Sequence, residues 1–493
     1  MTAAGSGPPS RSPSSTRSGW TWESLLVEPR RPAVIREQPN AHWFAVAAVC
    51  VGALMGQLDA SIVTVALPTL QRSFHASVGA VTWVGLTYLL VLVATVTAVG
   101  RFADMWGRKL LYVYGFVLFV LASAACGLAP DLLALCLFRA LQAIGAAMLQ
   151  ANSLAIIVVS VPARSLGRAI GLQGAAQAVG LALGPTVGGL LLATGGWRWI
   201  FYVNVPFGVA GTIAALTLVP RSQSLAARVR FDWRGLALFV PTVAALLSAL
   251  SFGATKGWGS PLIIGLFAAA ALLAAAFSLV ERRVTEPMLD LALLRRPAFA
   301  AGIASAVCSY LAMFGVLLLV PFYLERALHL GAGRSGLELM AMPLAFGLVA
   351  PFAGRLADRI GARPLTMSGM AVVVAALLAA AAARPSTALF VVLLAAVGVG
   401  LGLFTSPNNA SIMGAAPPAQ SGVASGVLNM SRGLGTSLGL AVTGLVFTVA
   451  GGGPAHAFSV TAAVLAAVAL VAGIVAGVRP RGQLADRTLS SLE

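Results

Sequence analysis

Asp59 is the one carboxylate that falls well inside an apolar run of this chain, and Arg139 lies at a matching depth in another. A carboxylate in hydrocarbon is costly when ionised, so it exchanges a proton or takes a cationic partner. At ~1.5 Å of rise per helical residue, Asp59 lies ~14 Å and Arg139 ~12 Å from the same side. An ion pair that forms when Asp59 is deprotonated and breaks when it is protonated would couple proton binding to conformation. The plainer use of such a pair is to orient two helices. Tyr88 sits at similar depth and can reach either member. Gln142, Gln173, Asn408 and Asn429 are polar groups disfavoured against lipid, which makes them candidates to line a path. Tyr310 and Phe314 offer an aromatic wall for hydrophobic or cationic compounds. No His, Cys and carboxylate group has metal spacing, and no nucleophile motif or glycine-rich nucleotide loop stands out. The expectation is therefore no metal, no cofactor other than a proton gradient, and no enzyme.

The elements that must hold these residues are membrane helices. The chain has 493 residues, of which 59% are hydrophobic and 10% charged. A soluble chain of this length would carry about 25% charge. Many runs approach the ~20 residues that span hydrocarbon, and they are continuously apolar rather than alternating. This predicts an all-α polytopic membrane protein and excludes a β-barrel. Fourteen runs can be placed, so both termini share a side.

The net charge of +17 would suggest nucleic acid on a soluble protein. Here 24 basic residues fall in the tails and one set of alternate loops, against six in the other set. That is the bias of cytoplasmic loops, so both termini are expected in the cytoplasm and no nucleic-acid partner is expected. Residues 1–42, rich in Ser, Pro and Arg, read as a disordered cytoplasmic tail.

One charged phrase occurs twice. GRFADMWGRK at 100–109 returns as GRLADRIGAR at 354–363, an offset of 254 residues. Two copies of a charged turn between membrane helices predict two related halves. Eight runs lie between the copies, where a plain duplication of six-helix halves would leave six. Two runs are therefore extra. The expected organisation is a six-helix half over 43–220, an inserted pair with linkers over 221–297, a second six-helix half over 298–478 and a tail over 479–493. Gly100, Asp104, Gly107 and Arg108, with Gly354, Asp358 and Gly361, are read as latches between the halves. An Asp there can stabilise a helix N-terminus, and a glycine allows close approach. Gly184 and Gly188, with Gly180, form a bare helical stripe, and Pro185 within it bends the helix.

Five phrases in order carry a family resemblance: LDASIVTVALP at 58–68, GRFADMWGRK at 100–109, LFRALQAIGAA at 137–147, GLALGPTVGG at 180–189 and WRWIFYVNVPFG at 197–208. Together they resemble the major facilitator superfamily, and within it the fourteen-span drug:proton antiporters. The family usually has Thr and Asn where this chain has Ser61 and Thr64, and the second charged turn lacks the terminal lysine of the first. The resemblance implies the major facilitator fold, two six-helix halves plus an inserted pair. It implies proton-coupled export of hydrophobic or cationic small molecules, such as drugs, dyes or natural-product antibiotics. It places the protein in the inner membrane of a bacterium, working as a monomer on a small-molecule substrate and protons. It also implies that the 180–188 stripe helps close the cytoplasmic side. A proton-coupled uptake symporter on the same fold, or a non-transporting receptor or scaffold, is the alternative.

Overall fold

The structure is a computed structural model that describes residues 28–76, 78–222, 232–284, 291–326, 337–383, 387–451 and 453–478. Lipid offers no hydrogen-bond partner to the backbone, so an apolar run of this length folds as helix. The chain forms α1 (Ala41–Ser73), α2 (Val78–Trp106), α3 (Arg108–Leu128), α4 (Leu132–Ser160), α5 (Leu166–Thr194), α6 (Asn204–Leu218), α7 (Trp233–Lys256) and α8 (Pro261–Glu281). It continues as α9 (Pro297–Arg326), α10 (Ala341–Ile360), α11 (Ala362–Ala383), α12 (Thr387–Ala415), α13 (Ser421–Ala450) and α14 (Pro454–Gly477). Counting α6 from Trp199, 13 of these are long and apolar enough to cross a membrane. α5 makes the fourteenth if its two segments, bent by 41° between Gly184 and Thr186, are one span. The side chain of Pro185, at that bend, lies outside the described residues. Among the described residues there is no strand.

The duplication reappears as packing. In the first half α1 packs on α5, α2 on α4, and α3 on both α4 and α6. Eight helices later the same pairs recur, with α9 on α13, α10 on α12, and α11 on both α12 and α14. The two largest contacts between halves, α2 with α13 and α10 with α5, are related by the same shift. α7 and α8 pack on each other, and α7 leans on α2 and α13 from outside the twelve.

The repeated phrase, expected as a turn, is almost entirely helical. α2 continues through Trp106 and α3 begins at Arg108, so Gly107 alone breaks the helix, with φ +119°. Gly361, with φ +85°, is the matching break between α10 and α11. A side chain is strained at these angles, so glycine is required where the two helices meet so tightly.

The tail also differs from expectation over residues 28–40, on the face where α1 starts, called the terminal face below. Glu28 is buried. Its carboxylate accepts from Leu110 N at 3.3 Å, Ser222 Oγ at 2.8 Å and Ser222 N at 2.6 Å. Lys109 Nζ donates to the carbonyl oxygens of Pro29 at 2.9 Å and Leu216 at 2.7 Å, and Arg31 donates to Leu218 O. The segment thus ties the α2–α3 junction to the end of α6. Composition hides this, because one buried acid outweighs the polar residues around it. Glu28→Ala should free the strap. Trypsin cleavage after Arg30 of the purified protein is expected to quicken by at least about tenfold, with the loss of three charge-assisted bonds. An unchanged rate would show that Glu28 does not hold the segment.

Candidate functional site

Asp59 and Arg139 meet. Both are 1% exposed, and Arg139 Nη1 donates to Asp59 Oδ2 at 2.8 Å. Two more donors converge on the other carboxylate oxygen. Gln142 Nε2 reaches Oδ1 at 3.0 Å and Asn204 Nδ2 reaches it at 2.7 Å. Gln142 also accepts from Arg139 Nη1 at 2.6 Å and donates to Ser123 Oγ at 2.7 Å. Arg139 Nε donates to Val84 O at 3.3 Å, and its guanidinium carbon stands 4.1 Å from the centre of the Tyr88 ring. Helices α1, α2, α3, α4 and α6 each contribute a group. One cation and two amides converge on this carboxylate, and neutralising it would leave a buried guanidinium without its counter-ion.

Gln142, expected on a substrate path, instead belongs to this cluster and is fully buried. Asn204 and Ser123 are members that sequence reasoning did not single out. Asn204 stands only a few residues into its run, whereas depth matching selects residues eight or nine deep. A separate helical turn, Trp199–Tyr202, precedes α6 and packs inward through Ile200 and Phe201, which carries Asn204 to the carboxylate. The WRWIFYVNVPFG phrase was the available signal.

Two residues along α1, Ser61 Oγ approaches Gly180 O at 3.3 Å. A Cβ at Gly184 would collide with Ser61, and one at Gly188 would sit 3.5 Å from Ile62. The 180–188 stripe therefore lets α5 lie directly on α1 within one half. It does not form the seam between halves. That seam uses a different face of α5, where Gly167 meets Gly354 and Gly171 meets Ala350.

The latch residues lie on the terminal face. Asp104 Oδ1 accepts from Arg108 Nε at 3.0 Å and Nη2 at 2.8 Å. The same carboxylate caps the start of α13, accepting from Gly422 N at 2.9 Å and Val423 N at 3.0 Å. Arg108 adds a bond to Pro418 O at 2.7 Å. In the other copy Asp358 caps α5, accepting from Gly167 N at 2.8 Å and Arg168 N at 3.1 Å. Gly100 abuts Gly422 as Gly354 abuts Gly167, backbone against backbone. Each Asp thus satisfies N–H groups that a helix start leaves open, and does so in the opposite half. The copies differ in one respect. Among the described residues Asp358 takes no arginine as Asp104 takes Arg108. With Ser406 bonded to Gly167 O, and Ser425 and Asn429 to Gln150 O, the halves are joined on the terminal side of the membrane.

Other expected path residues are engaged within the protein. Gln173 donates to Ser153 Oγ at 3.2 Å, and Asn408 donates to Gly302 O at 3.2 Å while accepting from Ser305 at 3.2 Å. Asn429 donates to Gln150 O at 3.1 Å and to Ser425 O at 2.9 Å. Phe314 packs against the main apolar core. Tyr310 is buried beside Arg432. Among the described residues no His, Cys, Asp and Glu group could hold a metal ion.

Known proteins carry the same frame. The family model described as Major Facilitator Superfamily matches residues 49–301 and 302–490. Multidrug resistance protein Stp of Mycobacterium tuberculosis (strain CDC 1551 / Oshkosh) is 37% identical over 398 residues, covering 80% of this chain and 74% of that protein. The tetracenomycin C resistance and export protein of Streptomyces glaucescens is 32% identical over 406 residues, covering 82% of this chain and 76% of that one. Among solved structures, the proton:xylose symporter XylE aligns with a TM-score of 0.63 at 15% identity, over 88% of this chain and 94% of its own. Matching helix pairs in two halves, an inserted pair and relatives that span most of the chain lead to one assignment: this chain belongs to the major facilitator superfamily.

Proposed function

We propose that this protein exports hydrophobic small molecules across the inner membrane of a bacterium in exchange for protons, with the terminal face in the cytoplasm. The observation that carries the reading is the Asp59 carboxylate, buried among Arg139, Gln142 and Asn204. A proton on that carboxylate removes the anion that three donors share. Arg139 is then a buried cation without a counter-ion, and the helices that brought the cluster together gain a reason to re-seat. α1 passes the change on, because Ser61 lies against Gly180 and Gly184 of α5. The same α5 is capped by Asp358 at its start, so motion of α1 bears directly on the closed terminal face. Alternating access follows if the protonated cluster and the capped seams favour different arrangements of the halves. The names of the bacterial relatives, which include drug and antibiotic resistance proteins, support export over uptake.

Everted membrane vesicles test the direction. Respiration acidifies their lumen, so an exporter should load a neutral hydrophobic dye such as Nile red into vesicles that carry the protein. A protonophore should release it. Dye that is excluded from the lumen, or loading that ignores the protonophore, would contradict proton-driven export.

A further inference from the structure

α13 carries a cation that the proton cycle leaves unused. Arg432 lies ~16 Å along the helix from Ser421, near the middle of a bilayer. Its Nε and Nη1 are buried without a hydrogen-bond partner. Its guanidinium carbon stands 5.2 Å from the centre of the Tyr310 ring on α9. Among the described residues, the fully buried basic groups of the helices are matched: Arg139 by Asp59, Arg108 by Asp104, and Lys109 by two carbonyl oxygens. Among the described residues, Asp59 is committed to Arg139, Asp104 to Arg108 and Asp358 to the start of α5. A charged residue inside a membrane protein is expected to face an interior path or a partner, and dry N–H groups add to the cost of leaving it alone.

Its position is an interior one. Ser425, Asn429 and Arg432 follow one another at helical spacing, and the first two bond to Gln150 O on α4. Arg432 continues that stripe one turn farther from the terminal face. The neighbouring faces of α13 are occupied, with Gly433 against Val93 of α2 and Gly435 against Tyr310 of α9. The guanidinium therefore stands where the second half meets the first, with an aromatic ring beside it.

We propose that Arg432 and Tyr310 form a binding site for the acidic group of a transported compound, a carboxylate or similar monoanion on an aromatic or hydrophobic body. The planar guanidinium can give a carboxylate two parallel hydrogen bonds, and Tyr310 supplies an apolar wall for the attached body. A fixed cation here disfavours cationic compounds, which narrows the hydrophobic or cationic class expected from the resemblance. The inference rests on the small-molecule transport reading above and specifies its substrate.

Full-length protein in nanodiscs is to be tested by scintillation proximity with tritiated 2-naphthoate, displaced by unlabelled 2-naphthoate or by its uncharged analogue 2-naphthamide. Wild type should need at least about tenfold less naphthoate than naphthamide for half displacement. In R432Q the two concentrations should become equal within about twofold, because the amide keeps polarity and loses charge. R432K should keep part of the preference, since a point charge survives without the planar fork. Both variants are checked for monodisperse elution, and R432K carries the comparison if R432Q fails to fold. No binding of naphthoate by wild type, no preference for it over naphthamide, or a preference unchanged in R432Q overturns the proposal. The assay uses no gradient and no direction. Protein that binds naphthoate through Arg432 yet fails to load tritiated naphthoate into respiring everted vesicles would sink the export reading and leave this site standing.

Discussion

Asp59→Asn is expected to reduce proton-driven efflux to the rate of vesicles without the protein, while the variant still inserts and elutes as a single species. The substitution keeps the size and most hydrogen-bonding capacity of the side chain but fixes it without charge. It therefore resembles the protonated carboxyl permanently. Breaking a buried ion pair by deleting one member typically costs about 3–5 kcal/mol. Much of that cost should be avoided here, because Arg139 keeps bonds to Gln142 Oε1 and Val84 O and the Tyr88 ring. The fold should survive, and the ability to cycle between charged and neutral states should not. Two readouts separate these outcomes. Respiration-driven dye loading should vanish, whereas downhill dye movement without a gradient should persist. Proton-driven loading at the wild-type rate would remove Asp59 from the coupling mechanism.

Asp104→Ala should open the terminal face. The variant leaves Arg108, which is 1% exposed, without its carboxylate, and leaves Gly422 N and Val423 N without the oxygens that cap α13. Losing one partner of a buried pair costs about 3–5 kcal/mol, charged here to the closed arrangement alone. An equilibrium between closed and open halves would move by roughly a hundredfold or more. The measurement is labelling of Ser425→Cys by a polar maleimide in a cysteine-free background, in nanodiscs where both faces are reachable. Ser425 is buried at the α13–α4 contact, so its labelling reports separation of the halves. The rate is expected to rise at least about tenfold, the visible part of that shift. Asp358→Ala should do less, because Asp358 is only half-buried and takes no arginine as Asp104 does. Equal rates in wild type and Asp104→Ala would make Asp104 a passive topological charge.

The sequence by itself determined the number of membrane helices, the two halves and the extra pair. Those features follow from run length and from a repeat of 254 residues, both one-dimensional quantities. It also placed Asp59 opposite Arg139, because depth in a bilayer is close to residue count times helical rise. Only the tertiary structure decided what surrounds a residue. It brought Asn204 and Ser123 to the carboxylate and took Gln142 off the expected path. It assigned the 180–188 stripe to α1 rather than to the opposite half. It revealed that Asp104 and Asp358 each cap a helix of the other half, and it docked Glu28 against the α2–α3 junction. Each of these depends on azimuth around a helix and on how neighbours tilt. Hydropathy averages over azimuth, so a buried polar residue facing a partner and one facing an open path look the same in the sequence. Arg432 makes the point most directly. In the sequence it is one more arginine, and only the structure shows its Nε and Nη1 buried without a hydrogen-bond partner while Asp59 and Asp104 pair with other arginines.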